Sequence, residues 1–491
     1  MQKNFSEAQR LAPLAAAMDR YAAAEIIPWH TPGHKQGLGA SVELKKLLTP
    51  MGLRQDVSLA DELDNLQSPT ACLQEAQELA AELYKAQAAY FMINGTTGAI
   101  HTMLMGTLSP GDKVLIPRNA HRSLFGALVL VGANPVFLPP EIDEDLGISM
   151  GLSVATVKQG IARHPDAKAL VIVYPTYYGV TCDLAAIVQA AHEKNILVLV
   201  DEAHGAHLPF SPLLPPEAIS LGADAAAQST HKLLGALTQA SLLLVGKGMA
   251  QENIQAAAAL LQSTSPNNLL MASIDLARKQ MAEEGETKWT RAVRLADGLR
   301  QEINEMPGLY AFGEEKLSVA NTSGACGLDA TKLTVTVKNL GLSGAQAAKI
   351  LREQYKMQPE LADAYSVLFI ISYADGEAET ARLQDALREL ALNHAAPRTK
   401  KIVNLPLPTW PKAVLSPREA FFAPKESVPW EKALGRIAGE AVMFYPPGIP
   451  LLCPGDLITP DIINYIEARR AMGLTLTGET EAELRLTVIK V

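Results

Sequence analysis

From about Pro69 to Gly246 two patterns of apolar and polar positions alternate along the chain. ACLQEAQELAAELYKA carries its apolar residues at helical spacing, and TTGAIHTMLMGTL reads as a second helix that opens just after Asn94-Gly95. The short runs VLIP, PVFL, ALVIVYP, ILVLVDEAH and ASLLLVG are apolar nearly throughout, as strands covered on both faces are. LAAIVQAAHEKN supplies another helix between them. Strand and helix in alternation predict an α/β domain with a largely parallel sheet wrapped by helices.

The pattern changes further on. A long helical stretch from roughly Leu269 to Glu305 leads into TKLTVTVKNLG, a β-rich run, then the helix-like GAQAAKILREQY, the strand-like SVLFIISY and a helical segment near Ala381 to Asn393. This predicts a small α+β domain. From Pro397 to Pro429 the chain is proline-rich, with Pro406, Pro408, Pro411, Pro417 and Pro424 between, and is expected to be an extended connection rather than a regular element. The last sixty or so residues, from Trp430, are expected to form a compact α+β terminal module. The expected boundaries are 1–68 for an N-terminal helical and linker segment, 69–305 for the large domain, 306–396 for the small domain and 397–491 for the connection and terminal domain.

Length and composition fit this picture: 491 residues exceed one ordinary core, and 48% hydrophobic with 19% charged residues is typical of a globular protein. The net charge of -9, with no long Lys/Arg cluster, argues against a nucleic-acid partner. Apolar stretches of about ten residues fall short of the roughly 20 that a membrane span needs. MQKNFSEAQRLAPLAAAMDRYAAAE lacks the uninterrupted apolar core of a signal peptide, so a cytoplasmic location is expected. Cys72, Cys182, Cys326 and Cys453 lie far apart, which fits buried small hydrophobes better than a disulfide framework.

Candidate chemistry centres on Asp201, near the end of the strand ILVLVDEAH, and Lys232 in STHKLLG, 31 residues later. A carboxylate at the carboxyl end of a parallel strand lies where open α/β sheets bind ligands. Opposed to a pyridine nitrogen it would keep the ring protonated, and a lysine amine in the same cleft can hold an aldehyde as a Schiff base. Read singly, Asp201 is equally a helix cap and Lys232 a solvated loop lysine. NGTTGAI places Gly95, Thr96 and Thr97 where a helix begins, which suits a phosphate and equally an ordinary threonine N-cap. Ser229 and His231 offer further donors. His121 in PRNAHRS can stack on a ring face or serve as a structural histidine. Asp201, His204 and His207 in DEAHGAH have the residue types of a metal site, but no Cys or further His pattern completes a shell, so no metal is expected.

HTPGHKQG (His30 to Gly37), DVSLADELDNLQSP (Asp56 to Pro69), NGTTGAI, PRNAHRS, PTYYGV, VLVDEAHGAH, STHKLLGALTQAS and YPPGIPLLCPGD follow one another in an order that resembles the bacterial ornithine/lysine/arginine decarboxylases. The resemblance covers nearly the whole chain, and the short length is similar to that of the compact arginine decarboxylases. It implies pyridoxal-phosphate fold type I, the aspartate-aminotransferase-like fold, with pyridoxal 5'-phosphate as cofactor. It further implies Lys232 as the Schiff-base lysine, Asp201 as partner of the pyridine nitrogen, and His121 as the stacking residue. Thr96, Thr97, Ser229 and His231 match phosphate-side positions, and Ala203 and His204 belong to the cofactor-binding set. QSTSPNNLL offers Thr264 and Ser265 to a neighbouring subunit's cofactor, hence a homodimer or higher homo-oligomer with the site at the subunit interface, although a plain Ser/Thr turn reads the same way.

One residue departs from the family. Where the larger lysine enzymes carry PGE this chain has CPGD, so Asp456 is expected near the distal end of the substrate, its shorter side chain leaving room for a guanidinium. The expected activity is decarboxylation of L-arginine to agmatine and CO2, feeding polyamine synthesis. Lysine and ornithine remain alternatives, followed by an aminotransferase or an inactive regulatory homologue.

Overall fold

A computed structural model of the chain describes residues 6–57, 60–317, 323–394, 405–444, 448–476 and 484–490. Ser58-Leu59 of DVSLAD, Tyr445 to Pro447 of YPPGIP and the start of the proline-rich stretch, through Asn404, lie outside the described residues. The chain divides into two compact units: residues 1–107, 197–212 and 216–287, and residues 108–196, 213–215 and 288–491.

In the first unit four buried strands lie in the order Ala88–Met92, Ser241–Val245, Ala225–Gln228, Leu197–Asp201. Ser241–Val245 is antiparallel to both of its neighbours, while Leu197–Asp201 and Ala225–Gln228 are parallel, with Asp201 opposite Ala227. The run ILVLVD is therefore a strand with its carboxylate at the carboxyl end, as its pattern predicts. Helix Gly95–Met105 begins three residues after strand Ala88–Met92, at the expected Asn94-Gly95 start. Arg278, 1% exposed, fixes the N-terminal segment: its Nη1 donates to the Gln9 carbonyl (2.6 Å), its Nη2 donates to the Leu11 carbonyl, and it pairs with Asp275 at 2.8 Å.

In the second unit strands Asn134–Leu138, Lys113–Pro117 and Ala169–Val173 are parallel neighbours in that order. Strand pairing is thus mixed in the first unit and parallel among these strands of the second, and the chain is α/β. A separate antiparallel sheet has the order Tyr310–Ala311, Lys332–Thr336, Ser366–Ile370, Leu361–Ala362. Leu333, Val335 and Val367 from it pack with Leu351, Leu387 and Leu390 from helices Gly344–Tyr355 and Glu377–Asn393. A further core, including Leu452, Ile462, Ile466 and Val488, supports the terminal residues.

The proline-rich stretch differs from expectation. It contains helix Pro417–Phe422 and strand Lys425–Pro429, the latter paired antiparallel with Arg485–Ile489. Pro417 stands at the first helical position, where no N–H is needed. Ser416 and Glu419 complete a reciprocal capping box, with the Glu419 N–H donating to Ser416 Oγ (3.2 Å) and the Ser416 N–H to Glu419 Oε2 (2.8 Å). Proline density alone misses this because position, not number, decides whether a proline breaks a helix.

Gly179 of PTYYGV has φ +87°, and a Cβ there would lie 2.8 Å from the Asp329 carbonyl oxygen and 2.9 Å from Lys332 Cβ. Gly248 has a similar φ of +95° with nothing within 4 Å. Gly179→Ala is expected to cost about 2–4 kcal/mol and Gly248→Ala about 1 kcal/mol, since only the first adds a clash to the strain. Thermal or urea unfolding of the two variants checks this, and equal losses would contradict it.

Candidate active site

Strands Leu197–Asp201 and Ala225–Gln228 run in the same direction and end at the same sheet edge, so residues that follow them meet there. Asp201 closes the first strand and Lys232 lies in the short helix Thr230–Leu233 after the second. Asp201 is 4% exposed. Burial pushes its carboxyl above the ordinary value, while the Lys232 charge and the Ala203 N–H, which donates to Asp201 Oδ1 at 3.2 Å, pull the other way. Lys232 is exposed, and its Nζ lies 3.1 Å from Nε2 of buried His204.

Hydroxyls gather at the start of helix Gly95–Met105. Thr96 Oγ1 lies 2.5 Å from Ser229 Oγ and 3.1 Å from Ser241 Oγ, and all three residues are buried. Gly95 turns into the helix with φ +64°, its N–H donating to the Gln239 carbonyl (3.0 Å), and a Cβ there would meet nothing within 4 Å. The first helical turn directs its N–H groups, Thr97 included, toward that open space. His231 keeps one ring tautomer: Nδ1–H donates to the Ala240 carbonyl (2.7 Å), and burial lowers the ring's pKa. Clustered hydroxyls at a helix N-terminus suit a phosphate, an exposed amine suits an aldehyde, and a buried carboxylate suits a cationic nitrogen. These residues fit pyridoxal phosphate.

Thr264 and Ser265 are both exposed, in a turn where the Ser265 N–H donates to Ser263 Oγ (3.1 Å). Gln67 of LQSP donates to the Ser263 carbonyl (2.6 Å) and Asn268 to the Val57 carbonyl (2.8 Å), so DVSLADELDNLQSP and QSTSPNNLL lie against each other. His34 of HTPGHKQG contacts Asp56 at 3.1 Å. Among the described residues no group of three or more His, Cys, Asp or Glu side chains is arranged to hold a metal ion. No described helix is long and apolar enough to cross a membrane.

His121 and Asp456 belong to the second unit. His121 caps helix Arg122–Val131, its Nδ1 accepting from the Ser123 N–H (3.2 Å) and lying 2.9 Å from Ser123 Oγ. Asp456 was expected to face the substrate, and the structure gives it a partner from the chain itself. It is 1% exposed, paired with Arg118 at 2.7 Å, and accepts from the Cys453 N–H (2.8 Å). Arg118 also donates to the carbonyls of Pro450 (3.0 Å) and Leu451 (3.2 Å), between the rings of Phe137 and Trp410. The guanidinium beside Asp456 is thus the protein's own.

Sequence reasoning missed Ser241 and the Arg118–Asp456 pair. Ser241 opens an otherwise apolar strand, which is the one visible sign that its hydroxyl has a partner. Arg118 lies in PRNAHRS and Asp456 in CPGD, each inside a recognised motif but with its partner far along the chain.

The chain matches two family models, "Orn/Lys/Arg decarboxylase, major domain" over residues 12–379 and "Orn/Lys/Arg decarboxylase, C-terminal domain" over residues 399–482. It is 42% identical over 481 residues to the arginine decarboxylase of Bacillus anthracis, covering 97% of each chain. With the arginine decarboxylase of Bacillus subtilis (strain 168) it shares 40% identity over 480 residues, again 97% of each. Its fold is similar to that of the Francisella novicida lysine decarboxylase LdcF, with a TM-score of 0.85 over 98% of this chain and 82% of that one at 21% identity. That likeness establishes the fold expected from the sequence, pyridoxal-phosphate fold type I.

Removing the Asp456 carboxylate leaves a buried, unpaired guanidinium. Asp456→Ala is expected to cost about 3–5 kcal/mol of stability, read as a fall in unfolding midpoint. A variant with unchanged stability and only a raised KM would contradict the structural role and return Asp456 to the substrate.

Proposed function

The chain belongs to the Orn/Lys/Arg decarboxylase family, and from that premise we propose that it converts L-arginine to agmatine and CO2 with pyridoxal phosphate held on Lys232. The observation that carries the reading is the edge where Asp201, Lys232 with His204, and the Thr96–Ser229–Ser241 hydroxyls meet in one unit. The choice of arginine rests on the 42% and 40% identity to arginine decarboxylases over nearly the full chain.

Lys232 would hold the cofactor covalently through Nζ. Thr96, Thr97, Ser229 and His231 would hold its phosphate, Asp201 its ring nitrogen, and Ala203 and His204 its inner edge. When bound, the cofactor supplies an electron-accepting ring to the carbon that loses CO2. Asp201, taken out of water, gives that ring a fixed negative partner, which is electrostatic preorganisation. The bond between Cα and the carboxylate breaks to release CO2, and a proton from solution takes its place on Cα. Lys232 Nζ, 3.1 Å from His204 Nε2, is the donor we assign to that step. Exposed Thr264 and Ser265 suit contact with a neighbouring subunit, in keeping with a homodimer that completes its site across the interface. The product amine suits a cytoplasmic supply of polyamines.

Initial rates of CO2 release from arginine, lysine and ornithine test the assignment. Arginine is expected to lead by about tenfold or more, a difference of about 1.4 kcal/mol, and Lys232→Ala is expected to lower the rate by on the order of a thousandfold. Faster release from lysine or ornithine overturns the substrate, and a keto acid formed without CO2 overturns the reaction.

A further inference from the structure

A second carboxyl stands beside Asp201, and the reaction as described does not use it. Glu202 follows the strand, and its N–H donates to the Ala227 carbonyl (3.0 Å), which extends the register to Glu202 beside Gln228. Side chains alternate along an extended backbone, so Glu202 lies on the opposite face of the sheet from Asp201. It is 0% exposed, as is Gln228. Glu202 Oε1 accepts from the Ala218 N–H (2.7 Å), and Oε2 lies 2.8 Å from Gln228 Nε2. Gln228 Oε1 is buried with no hydrogen-bond partner among the described residues.

Among the described residues, the charged group that adds to the rise of the Glu202 carboxyl is another carboxyl. Glu217 stands beside it on the Ala218 segment, and the Tyr84 phenol, whose hydroxyl donates to the Ala206 carbonyl (2.7 Å), feels both carboxyls. Asp201 is the adjacent residue. Burial pushes the Glu202 carboxyl up to about 8, with Glu217 adding to the rise and the Gln228 and Ala218 hydrogen bonds opposing it. A protonated carboxyl has an O–H to donate, and the Gln228 amide oxygen is a buried acceptor that lacks a donor. Rotation of the amide about its last bond exchanges which of its atoms faces Glu202.

The position of this pair gives it a role. Glu202 directly follows Asp201, and Gln228 directly precedes Ser229, with Lys232 four residues beyond it. We propose that Glu202 and Gln228 are positioning residues that clamp the two strand ends carrying Asp201 and the Ser229–Lys232 segment, working as a neutral acid–amide pair that loosens when Glu202 loses its proton. The inference rests on the functional reading above. Its sign follows from the raised carboxyl: the folded state holds the Glu202 proton more tightly than an unfolded chain does. The clamp is therefore complete in acid, below the ordinary carboxyl value of 4.5, and is lost progressively as pH rises from there to about 8.

The test compares cofactor-loaded wild type, Glu202→Gln, Glu202→Ala and Gln228→Ala. Two quantities are followed from mildly acid to alkaline pH: the visible absorbance of the Lys232-bound cofactor and the rate of its release on dilution. Wild type is expected to release cofactor faster as pH rises toward about 8 and to level off above it. Glu202→Gln, neutral at every pH, is expected to hold it as wild type does in acid and to lack that rise. Glu202→Ala and Gln228→Ala are expected to release it about tenfold faster throughout, a loss of about 1.4 kcal/mol. A Glu202→Gln profile that rises in parallel with wild type overturns the proposal, as does wild-type retention in both alanine variants. If the alanine variants do not fold, the comparison of wild type with Glu202→Gln decides alone. A wild type that shows no Lys232-dependent band brings down the functional reading itself, an outcome distinct from failure of the clamp.

Discussion

Asp201 is held out of water at the carboxyl end of strand Leu197–Asp201, and the chemistry of the site depends on that placement. Burial alone drives a carboxyl toward its neutral form, and here the charge of Lys232 and the Ala203 N–H oppose that drift. The two parallel strands that deliver Asp201 and Lys232 to one edge are therefore more than scaffolding, because each group sets the electrostatic condition of the other. A carboxylate at the same point in open solvent would have little influence on a ring nitrogen.

The second unit uses buried charge differently. Arg118 is held by Asp456, two carbonyls and two aromatic faces, an arrangement that fixes the segment ahead of His121 against the terminal residues around Cys453. Such a pair stabilises only as a set, since removing either member strands the other. The contrast between the units is instructive. Lys232 is exposed, 3.1 Å from the ring of His204, whereas Arg118 is buried among its partners. Reactivity and structure are separated by solvent access rather than by residue type.

Much of this was legible in the sequence. ILVLVD reads as a buried strand ending in a carboxylate because five apolar residues in a row leave few alternatives, and NGTTGAI reads as a helix start because Gly95 permits the positive φ that the turn needs. Lys232, Thr96 and Ser229 were identifiable as candidates, and the structure places Thr96 Oγ1 2.5 Å from Ser229 Oγ. Long-range pairing was not legible. Ser241 meets Thr96 from 145 residues away and Asp456 meets Arg118 from 338 away, distances over which no local pattern operates. Asp456 looked available because a carboxylate in a motif carries no sign of the cation that already occupies it. The helix at Pro417 was hidden for the opposite reason, since a strong local signal was counted without regard to position.

The most direct test of the central claim is chemical mapping of the lysine. Borohydride reduction of the cofactor-loaded protein, followed by digestion and mass spectrometry, fixes the phosphopyridoxyl group to whichever amine holds it. The account predicts a single modified peptide, with the label on Lys232. A label on any other lysine, or none at all after reduction of a visibly loaded protein, would contradict it.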